Sequence, residues 1–224
     1  MVLLHGLGGS SEEFEPVLDD LASRGWHAIA LDLRGHGASP RPPDEDDYRI
    51  HELATDVLHA ATEWDLLDFV LFGHEAGGVV AQEVALRAGP RIQGLILQST
   101  CPGPLPVDRN LAEGAIELVR GTRSMRPLEQ VEQRTLDCAP AAYASIFTQL
   151  LDAPDRSLRL AELHLPALAV AGGDDDVFLE PTCDLAAVIP SADLEVVAGG
   201  RQPHLDRPDA WADLVGGFLA ASRV

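Results

Sequence analysis

Basic residues are scarce in this chain of 224 amino acids: 16 Lys and Arg stand against 36 Asp and Glu, for a formal net charge of −20. So acidic a chain repels nucleic acid and anionic lipid surfaces, which argues against both as partners. Cysteine is scarce too. Cys101, Cys138 and Cys183 are odd in number, widely spaced and without a CxxC pair, which disfavours a disulfide framework and a zinc site. A reducing cytoplasm is the expected compartment. No apolar run approaches the roughly 20 residues that span a bilayer. The N-terminus has no basic segment leading into an apolar run and a small-residue cleavage site, so no signal peptide is expected. Neither an internal repeat nor a low-complexity tract is present.

What remains is an ordinary globular composition, 46% hydrophobic and 23% charged, at a length that suits one domain with at most a small lid. Short apolar runs alternate with amphipathic stretches. Strands are expected at Met1–Leu4, Trp26–Leu31, Phe69–Phe72, Gln93–Gln98, Leu165–Ala171 and Leu194–Ala198. Helical spacing falls at Ser11–Ser23, Ile50–Glu63, Glu75–Arg87, Cys183–Ile189 and Pro208–Ala221. Alternation of this kind predicts a mostly parallel sheet with helices on both faces. Between Cys101 and about His164 it lapses. Ala112–Arg120, Pro127–Leu136 and Ala141–Leu151 read as helices, entered through Pro102, Gly103, Pro104 and Pro106. The expected organisation is a core of residues 1–100 and 165–224 with a helical cap insertion at 101–164.

Three segments carry chemistry. After the first strand comes His5-Gly6-Leu7-Gly8-Gly9-Ser10, a Gly-rich loop. Asp32-Leu33-Arg34-Gly35-His36-Gly37-Ala38-Ser39 follows the second. Gly73-His74-Glu75-Ala76-Gly77 joins a strand to a helix. In this order they resemble the α/β-hydrolase superfamily, and the resemblance extends over essentially the whole chain. It implies an α/β-hydrolase fold, with the third segment as its nucleophile elbow, G-x-S-x-G. In that elbow the glycines permit a sharp turn, the central residue is strained, and the helix N-terminus beneath favours negative charge. Leu7 and Ala76 are expected to supply the oxyanion-hole N–H groups.

The resemblance also exposes two departures. Glu75 occupies the place of the nucleophilic serine. The family's acid follows a strand in a G-x-x-D pattern, which Gly172-Gly173-Asp174-Asp175 places at Asp175. The histidine sits in a segment like GHxPxLExP, and Gly200-Arg201-Gln202-Pro203-His204-Leu205-Asp206-Arg207-Pro208 puts Arg201 there. A guanidinium stays protonated and cannot serve a serine as base. Both halves of the proton relay are therefore missing, and ordinary serine-hydrolase turnover is not expected. An ion-paired row Glu75–Arg201–Asp175 is expected instead, since a lone carboxylate in a half-buried pocket would be costly. Glu75 can then be read three ways: as a carboxylate nucleophile, as an acid or base in lyase or isomerase-type chemistry, or as an inert member of a degenerate, ligand-binding pocket. For a second, hydrolytic step His204 is the candidate base nearest in sequence; packing is its commoner role.

Other residues read as structural. His5, His36 and His74 match loop histidines of the family, and Cys101 reads as a small buried hydrophobe. Consecutive acids such as Asp174-Asp175-Asp176 rarely converge on one metal ion. No metal or cofactor is implied. The expected partner is a small, uncharged or mildly polar organic molecule. Relatives carry strands before the one that opens this chain, so an uncovered sheet edge is also expected, and with it a homodimer or a poorly soluble product.

Overall fold

The computed structural model describes residues 1–122, 124–132 and 136–222. Six parallel strands form one sheet: β1 (Val2–Leu4), β2 (Ile29–Leu31), β3 (Phe69–His74), β4 (Ile92–Gln98), β5 (Ala167–Gly172) and β6 (Ala192–Val197), ordered β2-β1-β3-β4-β5-β6. Helices α1 (Glu15–Ser23), α2 (Ile50–Glu63) and α3 (Ala76–Ala88) connect the first four strands. Between β4 and β5 run α4 (Arg109–Val119), α5 (Arg126–Glu132), α6 (Pro140–Leu151) and the single turn α7 (Ser157–Leu160). Then come α8 (Leu179–Val188), the short α9 (Pro203–Asp206) and α10 (Pro208–Ala221). This is the α/β-hydrolase fold. No described helix is long and apolar enough to cross a membrane.

Strand alternation sends successive side chains to opposite faces. Val2, Leu4, Leu71, Leu95 and Leu97 pack with α2, α3 and the helices that follow β4. Leu3, Val70, Phe72, Ile96, Leu168 and Val170 pack with α1 and α10, through Val17, Leu21, Trp211 and Val215. The central strands are thus buried on both faces, which is why they read as continuous apolar runs.

Several element boundaries differ from the sequence pattern by a few residues. The second strand starts at Ile29, not Trp26, because only Ile29–Leu31 reaches the ladder of β1. Ser11–Phe14 winds as a 3₁₀ turn before α1 begins, ahead of Pro16, whose ring favours the first turn of a helix. The helix before β6 starts at Leu179, four residues earlier than Cys183. Of the helix expected at Pro127–Leu136, residues 133–135 lie outside the described residues.

Candidate active site

Glu75 sits where β3 turns into α3, at φ 49° and ψ −112°. A non-glycine residue in that region costs about 1–3 kcal/mol, which the surrounding packing must offset. The turn is tight because a Cβ on Gly77 would come within 2.5 Å of the His5 carbonyl oxygen and 2.6 Å of that of Leu4. Gly73 in turn lies against the backbone of Gly77. The Glu75 N–H donates to Gln98 O (3.0 Å), and Thr100 Oγ1 donates to Glu75 O (2.9 Å). The backbone is therefore pinned from β4 while the side chain is free to rise above the sheet.

Its carboxylate is caught by two loops. Leu7 N–H donates to Glu75 Oε2 at 3.1 Å. Arg201 Nη1 lies 3.5 Å from Glu75 Oε1, and Arg201 Nε lies 3.7 Å from Asp175 Oδ1. Glu75, Arg201 and Asp175 are thus brought into one row. The row is loose on the Asp175 side, where Oδ1 is instead held by the N–H groups of Val177 (3.1 Å) and Phe178 (3.2 Å). The guanidinium also lies over the Phe178 ring, 4.9 Å from its centroid. Ala76 opens α3 directly after Glu75 and is buried.

Above this row lies a cavity of about 750 Å³. Its floor includes Leu7, Glu75, Asp175 and Arg201. Leu105, Leu111, Tyr143, Phe147 and Leu150, from the segment between β4 and β5, form much of the apolar wall. A larger groove of about 940 Å³ runs beside β6 and α10, remote from these residues. It holds none of the elbow, and the chemistry belongs to the smaller cavity.

Three histidines near the row, His204, His5 and His36, do not line the cavity. His204 is fully buried and is not among the cavity-lining residues. Trp211 Nε1–H donates to Gln98 Oε1 (2.7 Å), which turns Gln98 Nε2 toward His204 Nδ1 (2.7 Å) as donor. Nδ1 accepts, so Nε2 carries the proton, and it faces Glu13 Oε1 at 3.5 Å. Burial pushes this imidazole down, against the pull of Glu13. His5 and His36 knit the loops: Leu33 N–H donates to His5 Nε2 (3.0 Å) and Gly8 N–H to His36 Nε2 (3.2 Å).

Glu13 is the residue whose role sequence reasoning missed. It approaches His74 Nδ1 at 3.1 Å. His74 Nε2 meets the carbonyl oxygen of Arg201 at 3.2 Å. Both ring nitrogens face acceptors, so both must donate and His74 is an imidazolium. Burial alone would lower its pKa; the hydrogen bond and charge of Glu13, and the charge of Glu75, raise it instead. The Glu13 carboxyl is likewise held well below the usual range: burial opposes this, but hydrogen bonds from His204 and His74 prevail. Ligand atoms of Glu13, His74 and His204 lie within 4.8 Å of one another, a spacing that could suit a metal ion. The proton on His204 Nε2, locked there by Gln98 and Trp211, occupies the lone pair that an ion would need. Glu13's one sequence signal is that of a first-turn acid, which conceals a contact 61 residues away.

A strained elbow at a strand–helix turn, an N–H from the first Gly-rich loop and a cavity at the strand ends define the α/β-hydrolase class of site. Residues 1–176 match the family described as alpha/beta hydrolase fold, and the chain belongs to it. It is similar to the magnesium-chelatase 30 kDa subunit of Rhodobacter capsulatus, 26% identical over 96% of this chain and 84% of that protein. It is also similar to 2-succinyl-6-hydroxy-2,4-cyclohexadiene-1-carboxylate synthase of Serratia proteamaculans, at 28% over 98% and 92%. Among solved structures, a hydrolase from Pseudomonas aeruginosa PA01 superposes with a TM-score of 0.84 at 25% identity, covering 97% of this chain and 88% of that one.

Proposed function

We propose that this protein acts on a small organic molecule by proton transfer at Glu75, and not by serine-hydrolase chemistry. The observation that carries the reading is the bond from Leu7 N–H to Glu75 Oε2. One carboxylate takes both the nucleophile's place and an oxyanion-hole donor. The loop that would stabilise an acyl intermediate is thereby engaged by the protein itself. Covalent attack by Glu75 would leave an ester with no base to activate water, since Arg201 stands in the histidine's position and His204 faces Glu13 beneath the floor. Glu75 Oε1, beside the cavity, is the atom left to take a proton from a bound molecule. Arg201 Nη1, 3.5 Å away, would then face the negative charge left behind. Glu75, Arg201 and Asp175 form an atypical triad in this reading, with Leu7 N–H holding Glu75 as its counterpart holds an oxyanion and Ala76 N–H as the second oxyanion-hole donor.

Two measurements test it. A fluorophosphonate probe and p-nitrophenyl acetate should leave the wild type unlabelled and inactive. The double variant Glu75→Ser/Arg201→His should gain esterase activity of about 10²-fold or more over wild type, as a serine regains its base. Ester turnover by the wild type that vanishes in Glu75→Ala would overturn the reading in favour of a carboxylate nucleophile. For the proton itself, a ligand found by thermal-shift screening should exchange a C–H in D₂O with wild type. Glu75→Gln should bind it without exchange. Binding without exchange in the wild type would reduce the pocket to a ligand-binding site.

A further inference from the structure

The sign of the cavity has consequences for what enters it. Glu13, Glu75, Asp108, Asp174, Asp175 and Asp176 all line it. Against these six carboxylates stand Arg201 and the imidazolium of His74, so the lining is four charges negative. Arg201 is already flanked by Glu75 and Asp175 and covered on one side by Phe178. Moreover, the Leu7 N–H that would receive an anionic group holds Glu75 instead. Arg201 Nε, 3.7 Å from Asp175 Oδ1, makes no hydrogen bond among the described residues, and an acceptor is left over beside it. The Asp175 side chain is 2% exposed, and its Oδ2 has no hydrogen-bond partner among the described residues. Glu13 turns Oε1 to the two histidines. The wall opposite is aromatic and aliphatic, with Tyr143 and Phe147 packed edge to face at 5.5 Å.

From this arrangement we infer that the cavity takes an organic cation: an ammonium group borne on an apolar body, its charge toward the carboxylates and its body against Leu105, Leu111, Tyr143 and Phe147. A buried carboxylate short of a partner is costly, and an ammonium at the cavity face of Asp175 supplies the missing positive charge together with up to three N–H donors for the acids around it. The exposed rim acids, Asp108, Asp174 and Asp176, add an attractive field at the entrance that salt would screen. The sequence alone points to an uncharged or mildly polar ligand, which the charge of the lining corrects. The inference rests on the cavity assigned in the proposed function, and narrows its substrate class.

The test is calorimetric titration of the full chain at low salt with three probes of similar size: phenethylammonium, 2-phenylethanol and 3-phenylpropionate. Phenethylammonium should bind saturably, the alcohol about tenfold more weakly, and the carboxylate not at all. Glu75→Gln should weaken the ammonium about tenfold. Asp108→Asn, which keeps the side-chain oxygen that caps α4 by accepting Leu111 N–H, should weaken it a few-fold and reduce its salt dependence. Equal or tighter binding of the alcohol or the carboxylate, no saturable ammonium binding, or an ammonium affinity unchanged in Glu75→Gln would overturn the inference. C–H exchange on a neutral or anionic ligand would sink it while leaving proton transfer at Glu75 intact; ammonium binding without any exchange would do the reverse.

Discussion

Four buried histidines sit close to the elbow, and their protonation differs because their partners differ. His5 and His36 each accept a backbone N–H at Nε2 and are neutral. Burial pushes His36 down to about 3, with the nearby His5 adding to the effect, and burial likewise lowers His5 and His204. A histidine depressed in the fold takes up a proton more readily when unfolded. Its contribution is therefore complete above the unfolded value of about 6.5 and is lost as pH falls toward the folded one. His74 is raised, so its contribution is complete below about 6.5 and is lost as pH rises through its folded value. Urea denaturation across pH 4–9 should show stability falling on the acid side, by on the order of 1 kcal/mol per pH unit. A shallower decline should follow on the alkaline side. In His74→Gln the alkaline decline should flatten while the acid limb persists. An alkaline limb unchanged in that variant would show that His74 is neutral in the fold.

The elements that meet at the site owe their closeness to small residues and to one buried amide. Gly77 lets α3 pass against the end of β1, so Gly77→Ala must push backbone, not a flexible side chain. A loss of about 2–4 kcal/mol in the urea midpoint analysis is expected, with Leu7 and Glu75 drawn apart. Trp211, from α10, fixes the orientation of Gln98 and through it the tautomer of His204. Trp211→Phe keeps most of the packing but leaves Gln98 Oε1 buried without its donor. It should cost about 1–3 kcal/mol and free Gln98 to turn, which ¹⁵N shifts of His204 would report as a change of protonated nitrogen. These elements also show where sequence reasoning reaches. Strands buried on both faces, the helix at Pro208–Ala221 and the placing of Glu75, Arg201 and Asp175 in one row were legible, because motif order and apolar runs are local signals. The Glu13–His74 pair and the Gln98–His204–Trp211 chain were not. Their partners are 61, 106 and 113 residues apart and join only when the 3₁₀ turn before α1, β3, β4, α9 and α10 pack together.

At the scale of the whole molecule, the charge of −20 acts on fold and pocket in opposite senses. Carboxylates crowded over a compact surface repel one another, and folding brings them closer than the extended chain does. Several are relieved locally, as Asp56 is by Arg34 at 2.6 Å, but 16 basic residues cannot pair 36 acids. Added salt screens the remaining repulsion, so raising NaCl from about 0.02 M to about 0.5 M should raise Tm by a few degrees. The same salt weakens the field that draws a cation to the acidic rim of the cavity. Thermal-shift titrations with phenethylammonium at the two salt levels separate the effects. The ligand-free Tm should rise with salt while the ligand-induced increment shrinks. An increment that grows with salt would mean that apolar contact, and not charge, holds the ligand, since screening cannot strengthen an attraction between opposite charges.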